Sequence, residues 1–448
     1  MCQPSSASPH GNRCCLRPSL GNVGLRLGGL HRIELGHPSN GVLRLPGRPP
    51  AAMPIHIAKS RLTIRRRRKS LRHMKTMRLA CVALITALIT GSAQAGSPGA
   101  DSSVEKIVAR ELATWPKEPG GAAVAVRISG RTLFFNRGMA DQATKRPLTS
   151  DSLFNLASLG KVFDATLLAL AVRQGELSLD DPVDKYVTEL QQGGDIRKVT
   201  LGQLATHTSG LLLPQDHPPW PTQGYTLPEF IRVLAAWKAD KYHQPGKQHI
   251  YTHAGFILLH LALERRFQSS IGDLIRARVL KPLGMTDTTL PLADENGRAQ
   301  MAPVLLDRTV QGYSEEGEPI GTSGAVQSYY QWPGTAQMYS SARDLARFLA
   351  ANLGELPIDP VLHAAIQDAH QGIFPMSRRV TQGLAWEVDR GPPLIIEKNG
   401  GLNNTTTYMG MMPGEKLGVV ILSNLGSENA GAGIGRRIMR TLAPSLVR

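Results

Sequence analysis

Past Cys81 the chain has no cysteine: all four, Cys2, Cys14, Cys15 and Cys81, precede Ala95. The chain beyond Ala95 therefore has no disulfide, no thiol nucleophile and no cysteine-held metal, and must be stabilised by a packed core. Acidic residues are nearly missing from the first 95 positions, which hold 16 Lys/Arg against one carboxylate, Glu34. The other 353 residues hold 35 Lys/Arg against 34 Asp/Glu, so all but one unit of the net +16 belongs to the leading segment. The larger part lacks the charge excess that attracts polyanions, and no nucleic-acid partner is expected. The apolar run Leu79 to Ile89 is too short to cross a bilayer as a helix, so no membrane anchor is expected either. No grouping of His, Asp and Glu has the spacing of a zinc site, no cofactor is called for, and no segment repeats.

The leading segment does contain a secretory pattern. Lys75 and Arg78 form a basic start, Leu79 to Ile89 an apolar centre, and Ala93-Gln94-Ala95 a small-residue cleavage site. Cys81 opens the apolar run and does not come after it, which argues against a lipid-anchored cysteine. Residues 1–73, rich in Pro, Gly and Arg and including Arg65-Arg66-Arg67-Arg68-Lys69, show no periodicity. They read as a disordered, non-native extension ahead of a start at Met74 or Met77. The expected organisation is an extension over 1–73, a signal peptide over 74–95 and one folded domain over 96–448, exported to the periplasm.

Within that domain, Asp101 to Thr114 has amphipathic helical spacing, and Ala122–Ile128 with Thr132–Asn136 reads as a hairpin around Ser129-Gly130-Arg131. Val162-Phe163, Leu167-Leu168 and Ala171-Val172 recur at helical spacing and stop before Gly175. Asp181-Pro182 reads as an N-cap acid with proline at the first helical position. Further helices are expected over Thr200–Ala205, Leu227–Ala236, Ala254 to Arg266 and Ile271–Leu280, the last closed by Lys281-Pro282-Leu283-Gly284-Met285. Ser341 to Asp344 fits a capping box opening a helix through Ala350. The character then turns β-prone at Gly383–Val388, Leu394–Glu397, Thr405–Met412 and Gly418–Ser423, before a final helix at Ala430–Leu442. Strands at both ends with helices between predict an α/β fold. Its antiparallel sheet is built from both termini and flanked by helices, and a mainly helical lobe is inserted over about residues 158–350.

Ser158-Leu159-Gly160-Lys161 stands at the start of one such helix. If Ser158 opens the helix, Lys161 falls one turn later on the same face, placing an amine beside a hydroxyl. Serine alone is a poor nucleophile and needs a neighbouring base, and a helix N-terminus offers N–H groups where an oxyanion would form. Alone, the pair fits an N-cap serine with a solvated lysine equally well, and Ser103-Val104-Glu105-Lys106 has the same spacing. Two further motifs separate these readings. In Tyr251-Thr252-His253, a tyrosine lying between two ammonium groups can serve as a base, because both charges stabilise its phenolate. Lys398-Asn399-Gly400-Gly401 falls between β-prone segments, where a lysine can hold a substrate carboxylate and glycines allow close approach to the backbone. Lys416-Leu417-Gly418 shows how little the last pattern proves by itself.

In this order the set resembles the class C β-lactamases and the penicillin-binding-protein-like serine hydrolases related to them, from about Val104 to Leu442. The segments Gly175–Val183, Leu204–Gly210, Lys281–Thr288, Gly383–Trp386 and Pro413–Gly418 carry the resemblance between and beyond the three motifs. It implies Ser158 as the acylated nucleophile, Lys161 as its proton partner and Tyr251 as the general base that also activates the deacylating water. It further implies Lys398 as the substrate-binding lysine, the N–H groups of Ser158 and Gly401 as the oxyanion hole, and Gln215 as a ligand of the substrate side-chain amide. Two positions depart from the pattern: His253 stands where asparagine is usual and Asn399 where threonine is usual. Both are expected to meet substrate. Flanked by Lys161 and Lys398, His253 should be pushed towards its neutral form, with activity falling as pH drops and it gains charge. The other histidines, including His207 and His260, read as structural.

The expected reaction is opening of a β-lactam ring through an acyl-enzyme on Ser158. A D-alanyl peptide or a simple ester is the alternative substrate for the same mechanism, and a non-catalytic cell-wall-binding relative is a third reading. The expected partner is thus a small-molecule β-lactam or a D-amino-acid peptide, and the expected assembly a monomer. N-terminal sequencing of the exported protein should give Gly96 as its first residue; a sequence beginning upstream of Met74 would count against the proposed processing.

Overall fold

A computed structural model describes residues 98–114, 118–212, 226–292, 300–321, 337–426 and 430–446, all within the unit Ser92–Arg448. The expected extension and signal peptide lie outside the described residues.

The chain enters through helix α1 (Pro98–Leu112) and the hairpin of β1 (Gly121–Ile128) and β2 (Arg131–Asp141). Ser129 and Gly130, at φ 49° and 76°, form its two-residue turn, whose mirrored twist matches that of the strands. Short β3 (Arg146–Pro147) and β4 (Phe154–Asn155) come next. Here the first expectation changes: Ser158 does not open the α-helix. It sits in a tighter 3₁₀ turn, Ala157–Gly160, and α2 begins at Lys161 and runs to Arg173. The cause lies just upstream. Ala157 takes the left-handed region at φ 48°, and its N–H is received by Asn155 Oδ1 at 2.8 Å.

The helical stretch then unfolds close to its expected bounds: α3 (Leu201–Ala205), α4 (Leu227–Ala236) and α5 (His253–Phe267). Reciprocal Thr200–Gln203 and Thr226–Glu229 capping boxes fix the first two of these. Where Asp181-Pro182 predicts an α-helix, a single 3₁₀ turn forms at Val183–Lys185. Asp181 is drawn instead to the Ser178 N–H and the Lys185 and Tyr186 side chains. The α6 helix (Ile271–Ile275) passes through a π turn into α7 (Lys281–Leu283), ended by Gly284 at φ 65°.

Helix α8 (Pro303–Leu306), the small β5–β6 pair (Gly312–Tyr313, Pro319–Ile320) and β7 (Tyr339–Ser340) lead to α9 (Ala342–Asn352). Its capping box is only half made. Ser341 Oγ receives the Asp344 N–H, but the Asp344 carboxylate turns to the N–H groups of Asp287 and Thr288. Helix α10 (Pro360–Ala369), capped by Asp359, has no counterpart among the elements expected from sequence. The rest is β8 (Phe374–Pro375), β9 (Val380–Gln382), β10 (Glu387–Asp389), β11 (Ile395–Leu402), β12 (Thr405–Met412) and β13 (Leu417–Ser423), closed by α11 (Ala430–Leu442).

The main sheet has nine strands in the order β3-β2-β1-β13-β12-β11-β10-β9-β8, every described pair antiparallel. Pairing of β1 with β13 joins the two ends of the domain at its centre. Both faces are covered. Ala123, Ala125, Val420 and Leu422 belong to the core shared with α2, α5 and α9, whereas Val124, Val126, Val419 and Ile421 belong to that of α1 and α11. This is why Gly418–Ser423 reads as an unbroken apolar run and not an alternating one.

Lys398-Asn399-Gly400-Gly401 corrects another expectation: it lies inside β11, not between strands. β10 partners only Ile395, Ile396 and Glu397, so β11 runs on past its neighbour with that edge open. There it lies directly on the Ser158 turn. A Cβ on Gly400 would sit 2.5 Å from Leu156 O and 2.7 Å from Leu159 N, so this glycine serves the approach of the turn and not of substrate. A Cβ on Gly401 would meet open space. Gly400→Ala should therefore destabilise the fold by about 1–3 kcal/mol in denaturant unfolding, the usual range for overpacking, while Gly401→Ala stays near neutral. Equal midpoints for the two variants would contradict this packing.

Candidate active site

The Ser158 turn is fastened from two sides. Leu156 N–H donates to Met338 O at 2.8 Å, and two β12 threonines hold the approach from the sheet. Thr405 Oγ1 donates to Asn155 O at 3.2 Å and Thr407 Oγ1 to Leu156 O at 2.8 Å. These hydroxyls stand in the run Thr405-Thr406-Thr407, which reads in sequence only as strand.

Held this way, Ser158 Oγ receives two hydrogen bonds, from Lys161 Nζ at 3.1 Å and from Tyr251 OH at 2.6 Å. Lys161 is fully buried, its ammonium 5.2 Å from the Tyr251 ring centre and 5.5 Å from that of Phe256. The Lys398 ammonium lies 5.2 Å from the same Tyr251 ring, so the phenol stands near two cations. Tyr251 itself is 39% exposed, so the group is reached from solvent. The nearest carboxylate to Lys398 among the described ion pairs is Glu387, at 3.7 Å.

Around this group are three histidines, two of which sequence reasoning leaves aside. His207 is buried, stacked on Tyr251 at 4.2 Å between ring centres, and receives the Thr252 N–H at Nδ1. Burial first, then Lys398 and Lys161, hold it well below the ordinary histidine range. His249 is held by Gln382 Oε1 at 3.0 Å, and burial lowers its pKa as well. His249 lies two residues before Tyr251 in an extended segment, the one sequence signal that it shares Tyr251's side. His253 keeps part of its surface open yet lies 5.7 Å from the Tyr251 ring, with its pKa pushed down to about 3 by burial, Lys161 and Lys398.

Ser158, Lys161, Tyr251, His253 and Lys398 thus come together. Gly401 lies on the stretch of β11 beyond its pairing with β10, while Asn399 differs in direction. Strand alternation puts Asn399 with Glu397 and Tyr408, whose contacts run to Arg436 of α11, so it meets the cleft only around the strand edge. Gln215 lies outside the described residues. The rival Ser103 is exposed on α1, across the sheet from the Ser158 turn. No set of three or more His, Cys, Asp or Glu suited to a metal is present among the described residues, nor a helix long and apolar enough to cross a membrane.

The Beta-lactamase family profile matches residues 113–443. A β-lactamase of Lysobacter lactamgenus is 27% identical over 387 aligned residues, covering 78% of this chain and 94% of the relative. That of Escherichia coli strain K12 is 28% identical over 351, covering 69% and 85%. Among solved structures, a D-alanine carboxypeptidase from Burkholderia cenocepacia superposes with a TM-score of 0.64 at 26% identity, covering 76% of this chain and 100% of that one. A class C β-lactamase from Rhodobacter sphaeroides gives 0.64 at 26%, covering 79% and 100%.

With a pKa of about 3, His253 stays neutral far below pH 6.5, so the acid fall in activity expected from its charging should not appear near that pH. Its effect passes to stability. The unfolded chain takes up a proton near pH 6.5, the folded chain not until about 3, so stability present above 6.5 is lost as pH falls through that window. His370, also pushed to about 3 by burial, acts in the same direction. Urea midpoints should fall between pH 7 and pH 4, and less steeply for His253→Asn; equal slopes for variant and parent would contradict the neutral, buried assignment.

Proposed function

The chain belongs to the β-lactamase family and is a hydrolase of its serine class, and from that premise we propose that it opens β-lactam rings through an ester on Ser158. The observation that carries the proposal is the double contact on Ser158 Oγ, 2.6 Å from Tyr251 OH and 3.1 Å from Lys161 Nζ.

In this mechanism the Ser158 proton leaves Oγ through the Lys161–Tyr251 pair, whose phenolate form is stabilised by the ammonium groups of Lys161 and Lys398. Oγ bonds to the lactam carbonyl carbon and the carbonyl π electrons move to oxygen. The N–H groups of Ser158 and Gly401 receive that oxyanion, a contribution of about 2.7–4 kcal/mol per donor in other hydrolases. As the carbonyl re-forms, the C–N bond breaks and Tyr251 returns a proton to the nitrogen. Water then attacks the ester carbonyl and gives a proton to Tyr251; as the C–Oγ bond breaks, Tyr251 passes that proton to Oγ and Ser158 is restored. Lys398 binds the substrate carboxylate, with Glu387 beside it to compensate its charge when the cleft is empty. No metal or cofactor enters.

A second reading keeps every step and changes the acyl donor to a D-alanyl peptide. It is favoured by the likeness to the D-alanine carboxypeptidase of Burkholderia cenocepacia. Either substrate suits action in the periplasm, where we place the protein on the strength of the secretory pattern at 74–95.

Incubation with a penicillin or an alkyl phosphonate should add one acyl or phosphonyl mass to the protein, and Ser158→Ala should abolish it. Lys161→Ala should slow acylation by about 10²-fold or more, the usual effect of losing a proton-transfer group. Label that persists on another serine, such as Ser103, would show the wrong nucleophile. A steady-state panel of penicillin, cephalosporin, carbapenem and D-Ala-D-Ala peptide then separates the two readings.

A further inference from the structure

One buried polar pair has no part in that chemistry. Asp164 lies three residues after Lys161 in the first turn of α2, and its Oδ1 is 2.9 Å from Nε2 of His260, halfway along α5, a close polar contact that is off hydrogen-bond alignment. The two side chains are 5% and 3% exposed. Around them the facing helices contribute an almost wholly apolar core, including Phe163, Leu167, Phe256, Ile257 and Leu261.

Stability alone does not call for a pair here. Taking a carboxylate out of water costs several kcal/mol, and buried ion pairs are often replaced by apolar side chains without loss of stability. What apolar contact does not supply is register. Apolar side chains set register through shape alone, whereas a buried polar pair adds a contact that only one register satisfies, the best-attested use of such groups.

The register of these two helices matters because each carries half of the reacting group. α2 continues directly from the Ser158 turn and opens with Lys161; α5 opens two residues after Tyr251. His260 stands seven residues into α5 from His253, about 10 Å along its axis, so it acts at a distance from the cleft. A slide of α5 against α2 moves Tyr251 relative to Ser158, where the gap is 2.6 Å.

We propose that Asp164 and His260 are positioning residues that lock α2 and α5 in the register at which Tyr251 reaches Ser158. The proposal rests on reading Ser158 as nucleophile and Tyr251 as base. Neither residue touches substrate. Their effect is on the rate of acylation and not on binding.

Two double variants test it in the full-length exported protein. Asp164→Leu with His260→Leu keeps the site apolar and leaves no buried charge alone; Asp164→Asn with His260→Gln keeps a directional polar contact. The leucine pair should unfold at the parent's temperature or above it, yet lose about 10- to 100-fold in the rate of Ser158 phosphonylation, with little change in KM for a chromogenic β-lactam. The amide pair should recover most of that rate. Parent-like acylation in the leucine pair overturns the proposal, as does an equal loss in both variants, which would tie the effect to something other than the polar contact. Should the leucine pair fail to fold, the amide pair decides alone: near-parent kinetics with a retained melting temperature supports positioning, a large loss overturns it. If the parent itself takes no label at Ser158, it is the proposed function that fails.

Discussion

A lysine ammonium with no exposure to water is the constraint to which the rest of the cleft conforms. Lys161 is fully buried beside Ser158, and Lys398, 4% exposed, brings a second cation to the other side of Tyr251. A buried ammonium costs several kcal/mol unless its surroundings compensate, and here hydroxyl oxygens, aromatic faces and Glu387 do so. The same two charges forbid a third. His207 and His253 are each held below the histidine range by burial together with Lys161 and Lys398, so these imidazoles line the site as neutral rings.

Positioning comes from the sheet. The Ser158 turn is short, strained at Ala157 and succeeded by a helix with no side-chain cap, so local sequence does little to fix it. Its placement comes from residues about 250 positions away, Thr405 and Thr407, whose hydroxyls take up carbonyls of the approach. Gly400 admits the turn against β11. The Ser158 turn is therefore set by the C-terminal half of the chain, and the pairing of β1 with β13 makes that half and the N-terminal hairpin one sheet.

Sequence patterns carried the parts of this arrangement that depend on local preference. α4, β12 and α11 fall at their expected bounds because apolar period, capping boxes and β-branched runs act over a few residues. The motif residues Ser158, Lys161, Tyr251 and Lys398 are legible because their order and spacing are distinctive together. What stays hidden depends on contacts made across the fold. The 3₁₀ turn at Ser158 arises from the Asn155–Ala157 hydrogen bond, and the free course of β11 from where β10 happens to end. His207, His249 and Glu387 look like ordinary loop and strand residues until the two lysines are in place beside them. Helix α10 escapes a sequence-based reading although Asp359-Pro360 offers a cap and a helical first residue, because the segments beyond it read as strand.

The two departures from the family pattern end in different physical positions, and that decides what each can alter. Asn399 alternates away from Lys398 and Gly400, towards the side of the sheet that α11 covers, so its reach into the cleft is indirect. His253 stands beside Tyr251, under the field of both lysines. A side-chain amide at that place offers two N–H donors and a carbonyl acceptor; a neutral imidazole offers one donor and one acceptor fixed on a rigid, larger ring. In the proposed mechanism the proton path among Ser158, Lys161 and Tyr251 does not run through this position, so the exchange would leave the making of the ester in place. It changes the hydrogen bonds and the room offered to the acyl group beside it. Under the proposed role of His253, its difference from an asparagine at this place is a difference in which acyl donor would fit, concentrated at a single neutral ring.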